Sequence, residues 1–278
     1  MEFNRTLREV EAQIETLRAK VPMLRTHGTN QAYSSGPLVP SCRICIRQAY
    51  MSFRLGMRCN ASCDFCFLQT LKANAPDDGV ELRQTQWQEF ERHLDRIEGV
   101  AFTGGEPLLY IDALELLIPR MRKLKPGLYV WVYTNGLLAD DRTLDRLAKM
   151  RIDELRFNVA ASDYDPVVID QVGQARRRFK RVVVEVPSYP QQREPLLAAL
   201  ADFERVGIDQ LNLQELWVTD ANVARLKGEG YQSGLLFAKK FFLYGSRALT
   251  YEAMLLCTQR HYSYSVNDCS AARFGPAK

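Results

Sequence analysis

Apolar positions near the start of the chain recur at helical spacing. Leu7, Val10, Ile14 and Leu17 are three or four residues apart, which predicts an amphipathic helix from residue 6 to about residue 20. The segment that follows (HGTNQAYSSGPLVPS) is polar and contains Gly and Pro. This composition predicts a loop.

From residue 50 onward, short apolar runs alternate with longer segments of helical periodicity. The predicted strands are Tyr50–Leu55, Gly99–Phe102, Tyr129–Tyr133, Glu154–Val159, Val182–Val186 and Gln210–Leu213. The predicted helices lie near residues 83–97, 112–123, 140–149, 166–177, 192–206 and 221–227. This βα rhythm predicts an α/β fold with a parallel sheet.

Six βα units are fewer than the eight that close a complete barrel. We therefore expect a partial (βα)6 TIM-like barrel with its functional residues at the C-terminal ends of the strands. A doubly wound open sheet is the alternative. Three regions are predicted: an N-terminal extension with the first helix (1–48), the barrel (49–230) and an aromatic, irregular C-terminal tail that packs on the barrel (231–278).

Composition narrows the class of protein. The chain has 278 residues, of which 46% are hydrophobic and 25% charged, as in ordinary globular proteins. No apolar run approaches the roughly 20 residues of a membrane helix, and the amino terminus is too charged for a secretory signal. We therefore expect a cytoplasmic protein without a membrane partner. The net charge of +4 is spread along the chain, which makes a nucleic-acid partner unlikely.

The cysteine content points to metal binding. Seven cysteines cannot all pair with one another, and the cytosol keeps thiols reduced. Cys59, Cys63 and Cys66 follow the first predicted strand within eight residues. Three such thiolates can occupy three corners of an iron-sulfur cluster and leave one iron open. A structural zinc site is the alternative, although it normally needs four ligands.

A second motif, Gly104-Gly105-Glu106-Pro107, ends the second predicted strand. Paired glycines let the backbone approach a ligand closely, and a carboxylate can accept hydrogen bonds from an ammonium group. In the predicted strand order this motif and the cysteine loop lie at the same edge of the sheet.

Together the two motifs resemble the radical S-adenosylmethionine (radical SAM) superfamily. The resemblance implies that Cys59, Cys63 and Cys66 hold a [4Fe-4S] cluster, whose open iron binds the amino and carboxylate groups of SAM. It also implies that the GGEP motif contacts the SAM amino group and that Phe65 lies near the adenine. A one-electron reductase such as flavodoxin or ferredoxin is the implied partner. SAM then yields a 5′-deoxyadenosyl radical that abstracts hydrogen from a small-molecule, peptide or protein substrate.

Within this superfamily the chain is similar to proteins related to pyruvate formate-lyase activating enzymes. A glycyl-radical enzyme activase is therefore one alternative function. A non-catalytic iron-sulfur or zinc protein, for electron transfer or interaction, is an alternative from a different class. Cleavage of SAM distinguishes the enzyme from the non-catalytic protein.

Polar residues near the ends of the later strands are further candidates. Thr134, Asn135, Asn158 and Glu185 are predicted to bind SAM or substrate; Asn212, Gln214 and Glu215 belong to the same group. A simple turn explains Thr134 and Asn135 equally well. Because Glu185 interrupts an apolar strand (VVVEVP), we expect its carboxylate to have a cationic or hydrogen-bonded partner.

Four cysteines remain outside the two motifs. Cys42 and Cys45 form a CxxC just before the first predicted strand, and Cys257 and Cys269 lie in the tail. Four thiolates complete an iron-sulfur or zinc shell. The sequence therefore predicts an auxiliary iron-sulfur cluster, with zinc or four unligated thiols as alternatives.

Overall fold

The computed structural model describes residues 7–27, 32–233 and 240–270. The chain forms two compact units. Unit A consists of Val39–Ser62 and Gln69–Val184, and unit B consists of the described parts of Met1–Leu38, Cys63–Leu68 and Glu185–Lys278. None of the helices in these described residues is long and apolar enough to cross a membrane.

The helices and strands follow in chain order. The helices are α1 (Leu7–Arg18), α2 (Pro40–Ile46), α3 (Val80–Arg92), α4 (Ile111–Leu124), α5 (Asp141–Lys149), α6 (Pro166–Arg176), α7 (Arg193–Val206) and α8 (Ser246–Gln259). The strands are β1 (Arg25–His27), β2 (Ala32–Ser34), β3 (Tyr50–Arg54), β4 (Arg58–Cys59), β5 (Leu71–Lys72), β6 (Gly99–Thr103), β7 (Tyr129–Thr134), β8 (Glu154–Phe157), β9 (Val182–Pro187), β10 (Gln210–Gln214), β11 (Trp217–Val218), β12 (Gly230–Ser233), β13 (Lys240–Leu243) and β14 (Ser265–Asp268).

Unit A contains a parallel sheet with strand order β3-β6-β7-β8-β9. Helices α3 to α6 connect these strands in the chain, so the predicted βα rhythm is confirmed. Phe53, Phe102 and Phe157 are completely buried and form part of the core. Parallel strands with helical crossovers place all their C-terminal ends at one edge of the sheet. The candidate residues that follow β3, β6, β7 and β8 therefore share this edge.

Unit B contains the last residues of β9 together with β10, β14, β2 and β1, in that order. β14 pairs in parallel with β10, and β2 pairs antiparallel with β14. α8 packs against α7 and β10, and α1 packs against α8. The N-terminal helix and the C-terminal tail are thus integral parts of this unit.

The tail differs from its predicted irregular structure. It contains α8, and β14 adds a strand beside β10. α8 is rich in the helix formers Ala, Leu and Met, which the neighbouring aromatic residues obscured. β14 is a polar strand, and its Ser265 and Asn267 bond to polar side chains of β10. Its sequence therefore lacks the apolar pattern by which a buried strand is recognised.

The segment before the first predicted strand also differs from the prediction of a loop. β1 and β2 pair antiparallel there, and the CxxC cysteines lie on α2. Pro40 occupies the first turn of α2, where its missing N–H costs nothing. Ile44 of this helix packs with Ala101 and Trp131. Burial on the sheet of unit A therefore stabilises a helix too short to be evident from periodicity.

The helix predicted near residues 221–227 is wrong, because this segment forms turns. The Asn222 side chain accepts a hydrogen bond from the Thr219 amide at 2.8 Å and donates to the Trp217 carbonyl at 2.9 Å. Side-chain bonds of this kind offer the backbone an alternative to the helix.

Candidate functional site

The segments after β3 and β6 lie in direct backbone contact in unit A. The amide of Gly105 donates to the carbonyl of Gly56 at 2.9 Å, and the amide of Glu106 donates to the carbonyl of Arg58 at 2.7 Å. A Cβ atom on Gly105 would lie 2.1 Å from the Arg58 carbonyl oxygen. Gly104 has a φ of +132°, and a Cβ atom there would lie 2.3 Å from the Gly56 oxygen. Both positions therefore require glycine.

Glu106 is almost completely buried, with 1% of its surface exposed. Its Oε1 accepts from the Leu108 amide at 3.0 Å and from the Thr134 hydroxyl at 2.8 Å, and its Oε2 accepts from the Asn135 amide at 2.7 Å. Burial raises the pKa of Glu106 to about 7, although these three hydrogen bonds lower it. A carboxylate offers about four acceptor positions, so one more donor, such as an ammonium group, can be accommodated.

Thr134 and Asn135 form a turn and also hold Glu106. Thr134 Oγ1 accepts from the Gly136 amide at 3.0 Å, and Asn135 Oδ1 accepts from the Leu137 amide at 3.0 Å. The sequence offered two explanations for Thr134 and Asn135, a simple turn or a part in the site, and the structure makes these compatible. The same turn that follows β7 orients the buried carboxylate.

The raised pKa of Glu106 predicts a pH-dependent stability. The unfolded chain loses this proton near its ordinary value of about 4.3, whereas the folded protein keeps it up to about 7. Between these values the folded state binds more protons, so its stability decreases as the pH rises. We expect the titration of Glu106 to lower the free energy of unfolding by about 2 kcal/mol from pH 5 to pH 8. This decrease adds to any change caused by ionisable groups on the surface.

Chemical denaturation at several pH values measures this decline. Glu106→Gln removes the titrating group and is expected to flatten the profile, even if it lowers stability at every pH. Glu115→Gln, a change at an exposed helix position, serves as the control and should retain the decline. Parallel profiles for the wild type and Glu106→Gln would contradict the prediction.

Cys59 lies on β4, which pairs in parallel with β5. The amide of Ala61 donates to its sulfur at 3.4 Å, and Asn135 Nδ2 lies 3.8 Å from the same sulfur. Asn135 Nδ2 also donates to Asn60 Oδ1 at 2.7 Å. The cysteine loop and the turn after β7 are thus joined through side chains at the edge of the unit A sheet.

A partly buried network that the sequence did not indicate holds the start of the cysteine loop. Tyr110 OH donates to Asp78 Oδ1 at 2.7 Å and accepts from the Arg58 amide at 2.8 Å. Asp78 Oδ2 accepts from the Met57 amide at 2.7 Å. Tyr110 closes the one-turn 3-10 helix Pro107–Tyr110 that contains the end of the GGEP motif. In the sequence, the only indication of this role is that Tyr110 lies three residues after Pro107 of the GGEP motif.

The remaining part of the cysteine loop belongs to unit B. Arg225 donates to the Cys63 carbonyl at 2.9 Å, and Asn222 donates to the Phe65 carbonyl at 3.1 Å. The buried Phe65 ring lies 6.0 Å from the Tyr189 ring in an edge-to-face arrangement. Cys66 Sγ lies 3.5 Å from the Leu68 carbonyl oxygen. The turns at 219–227 therefore fix this part of the loop.

Asn158 lies directly after β8 in unit A. Its amide donates to the Thr134 carbonyl at 2.8 Å, whereas its side-chain Oδ1 is buried and has no hydrogen-bond partner among the described residues. A buried acceptor without a donor is costly. A bound ligand with a hydroxyl or amino group would supply the donor.

Glu185 on β9 has the hydrogen-bonded partners that its apolar strand predicts. In unit B it accepts from Asn212 Nδ2 at 2.8 Å and from Gln214 Nε2 at 2.6 Å. Asn212 Oδ1 in turn accepts from Gln210 at 2.5 Å and from Asn267 at 3.0 Å. The side chains that meet between β10 and β14 are thus polar, namely Gln210, Asn212, Ser265 and Asn267, where a barrel normally carries Val, Ile or Leu.

The opposite face of β14 carries a buried charged cluster that sequence analysis missed apart from Glu215. Asp268 accepts from Tyr251 OH at 2.5 Å and lies 3.5 Å from Arg247 Nε, both of which are on α8. Burial opposes the charge of Arg247, but Asp268 and Glu215 raise its pKa above the ordinary value. The cluster could have been inferred only if α8 and β14 had both been predicted, because its residues lie on these two elements.

The four other cysteines have individual environments, and Cys45 is half-buried on α2. Cys42 on α2 lies 3.4 Å from Nη2 of the buried Arg156, which pairs with Glu154 at 2.6 Å in unit A.

In unit B, Cys257 Sγ lies 3.3 Å from Tyr264 OH. Burial raises the pKa of the Cys257 thiol to about 11, although the Tyr264 hydrogen bond lowers it. Cys269 directly follows β14, and its amide donates to the Leu213 carbonyl at 2.9 Å.

Across the described residues, no group of three or more His, Cys, Asp or Glu side chains is placed to hold a metal ion. The donors themselves suit an iron-sulfur cluster, because Cys59, Cys63 and Cys66 supply three thiols on one short loop. The glycine contacts, the orphaned Asn158 oxygen and the buried Glu106 suit a polar organic ligand beside Cys59.

Comparisons with known proteins identify the family of the chain. The family model described as the Radical SAM superfamily matches residues 54–209. A protein described as a glycyl-radical enzyme activating enzyme, from Methanocaldococcus jannaschii, is 20% identical over 206 residues, which are 70% of this chain and 54% of that protein. The GTP 3′,8-cyclase of Chlorobaculum tepidum is 32% identical over 117 residues, which are 41% of this chain and 33% of that protein.

Solved structures show the same fold. Streptococcus suis SuiB bound to S-adenosylmethionine has a TM-score of 0.59 and 19% identity, with 80% of this chain and 50% of that chain covered. SuiB bound to its precursor peptide SuiA has a TM-score of 0.57 and 17% identity, with 93% and 61% covered. The predicted α/β class with a partial TIM-like barrel is thus confirmed. The chain spans about half the length of the first of these relatives and structures.

Proposed function

The chain belongs to the radical SAM superfamily, and on this premise we propose that it cleaves S-adenosylmethionine reductively and abstracts hydrogen from a substrate. Cys59, Cys63 and Cys66 would hold the [4Fe-4S] cluster. When bound, the cluster supplies the electron that splits SAM into methionine and a 5′-deoxyadenosyl radical. The observation that carries the proposal is the direct bonding of the Cys59 loop to the GGEP motif in unit A.

Glu106 would receive the amino group of SAM. Its carboxylate is already oriented by Leu108, Thr134 and Asn135, so binding requires little reordering of the side chain. A nearby ammonium group favours the ionised carboxylate. SAM binding would therefore release the proton that Glu106 keeps up to about pH 7.

Other residues would orient the rest of SAM or the substrate. The orphaned Oδ1 of Asn158 would accept from a ribose hydroxyl, and Phe65 would lie near the adenine. Glu185 would bind SAM or substrate from its amide framework in unit B. Gly104 and Gly105 would hold the GGEP segment against the cysteine loop, because neither carries a Cβ atom that would clash with its backbone.

For the partner we propose a one-electron reductase such as flavodoxin or ferredoxin. For the substrate we propose a small molecule or a peptide or protein side chain. A glycyl-radical enzyme is the second candidate substrate, which the description of the M. jannaschii relative favours.

The test is an assay of the anaerobically reconstituted, dithionite-reduced protein with SAM. We expect about four irons on the Cys59–Cys66 loop, together with formation of 5′-deoxyadenosine and methionine. A protein that binds the cluster but neither binds nor cleaves SAM would instead be a non-catalytic electron carrier. That result would overturn the proposal.

We also propose a second metal site on Cys42, Cys45, Cys257 and Cys269. The support is the donor set, because four thiolates complete an iron-sulfur or zinc shell. Ligation would have to remove the proton from the Cys257 thiol, which its burial opposes. Metal binding and the local fold would therefore be coupled.

Cys257→Ala tests this second site. We expect about four fewer irons per chain, or the loss of zinc, while the SAM-binding cluster and 5′-deoxyadenosine formation are kept. Metal analysis with EPR spectroscopy of both proteins measures the change. Thr258→Ala, at the next position of α8, is the control. An unchanged metal content in Cys257→Ala would argue against the second site.

A further inference from the structure

Asn135 connects two parts of the site in unit A. Its backbone amide donates to Glu106 Oε2 at 2.7 Å. Its side-chain Nδ2 lies 3.8 Å from Cys59 Sγ and donates to Asn60 Oδ1 at 2.7 Å. The residue is buried, with 6% of its surface exposed. Backbone and side chain thus serve different partners.

The orientation of the Asn135 amide is determined by its neighbours. Oδ1 accepts from the Leu137 amide at 3.0 Å, so Nδ2 must point towards the cysteine loop. A primary amide has two N–H groups. One of them bonds to Asn60 Oδ1, and the other is available to the sulfur of Cys59.

A hydrogen bond to a ligating sulfur affects the redox properties of an iron-sulfur cluster. On reduction one electron passes from the donor protein to the cluster, and no bond to Cys59 forms or breaks. The sulfur gains negative charge, which an N–H donor stabilises. Hydrogen bonds to the sulfurs are one of the factors that set cluster potentials, and residues around the ligands tune metal sites generally.

We propose that Asn135 raises the reduction potential of the SAM-binding cluster by donating a hydrogen bond to Cys59 Sγ. This inference rests on the proposed function, because it requires a cluster at Cys59. Ala61 supplies a backbone donor to the same sulfur at 3.4 Å. Asn135 supplies a side-chain donor, and it lies on the turn that also orients Glu106. Asn135 is thus a positioning and tuning residue for electron transfer.

The experiment is an EPR-monitored redox titration without SAM, on reconstituted wild type, Asn135→Leu and Asn135→Asp. Asn135→Leu keeps the backbone bond to Glu106 and loses the donor. We expect the ratio of reduced to oxidised cluster at a given potential to fall about fivefold, which corresponds to about 40 mV at 59 mV per tenfold. Asn135→Asp keeps the acceptor for Leu137 and adds a negative charge, so its shift should have the same sign and be larger.

Asn74→Leu is the matched control, since it makes the same change at an exposed turn position outside the proposed site. Its potential should equal that of the wild type. Wild-type potentials in both Asn135 variants, with wild-type iron content, would overturn the inference and leave the proposed function intact. Failure of the wild type to assemble a cluster would instead overturn the proposed function, and the inference with it.

Discussion

We expect replacement of Cys59, Cys63 or Cys66 by Ala to abolish 5′-deoxyadenosine formation and to remove about four irons per chain. The three thiols are the only cysteines on the loop that follows β3. If the cluster is bound by only three protein ligands, no further cysteine on this loop can replace one that is lost. Each single variant should therefore lose the cluster. The carbonyls of Cys63 and Phe65 accept hydrogen bonds from Arg225 and Asn222, which the cysteine substitutions do not remove, so this part of the loop can remain folded.

Iron and sulfide analysis with product detection measures this loss. Ser62→Ala changes the same loop without removing a thiol and should keep both the iron and the product. Thermal unfolding of each variant separates loss of the ligand from loss of the fold. Wild-type product formation in any one of the three cysteine variants would refute its assignment as a cluster ligand.

Gly105→Ala is expected to destabilise the protein by about 2–4 kcal/mol and to abolish SAM binding. The added Cβ atom would lie 2.1 Å from the carbonyl oxygen of Arg58 and 2.7 Å from the carbonyl carbon of Met57. Both atoms belong to backbone, so no side-chain rotation relieves the clash. The GGEP segment must move away from the cysteine loop, which breaks the bond between Glu106 N and Arg58 O.

Differential scanning fluorimetry and equilibrium binding of SAM measure the two effects. We expect the Tm to fall by about 5–10 °C. Gly127→Ala is the control, because a Cβ atom there has no neighbour within 4 Å. This substitution should be neutral or stabilise the protein by about 0.4–1 kcal/mol. A Gly105→Ala protein with wild-type Tm and SAM affinity would contradict the described backbone contact.

The predicted strands of the first six βα units agree with the structure to within one or two residues. β7 and β9, for example, are apolar runs bounded by polar or turn residues. Such runs are typical of buried parallel strands, so the local hydrophobic pattern was sufficient to predict these strands. The cysteine and GGEP motifs were also evident, because their residues are contiguous in the chain.

The errors concern elements whose stability comes from distant residues. α2 is short and depends on the packing of Ile44 against Ala101 and Trp131. β14 is polar and depends on the amides of β10. The turns at 219–227 are held by the buried side chain of Asn222, which bonds locally to Thr219 and Trp217 and also to the distant Phe65 carbonyl. In each case tertiary contacts outweigh local propensity.

The sequence by itself determined the α/β class, the order of the main strands and helices, and the residue types at the candidate site. These follow from hydrophobic periodicity and from the spacing of neighbouring side chains. Only the tertiary structure decided the state of Glu106, the direction of the Asn135 amide and the part that Tyr110 takes in holding the cysteine loop. Burial and hydrogen bonding depend on which strand ends meet in space, and most of these contacts join residues 28 or more positions apart in the chain.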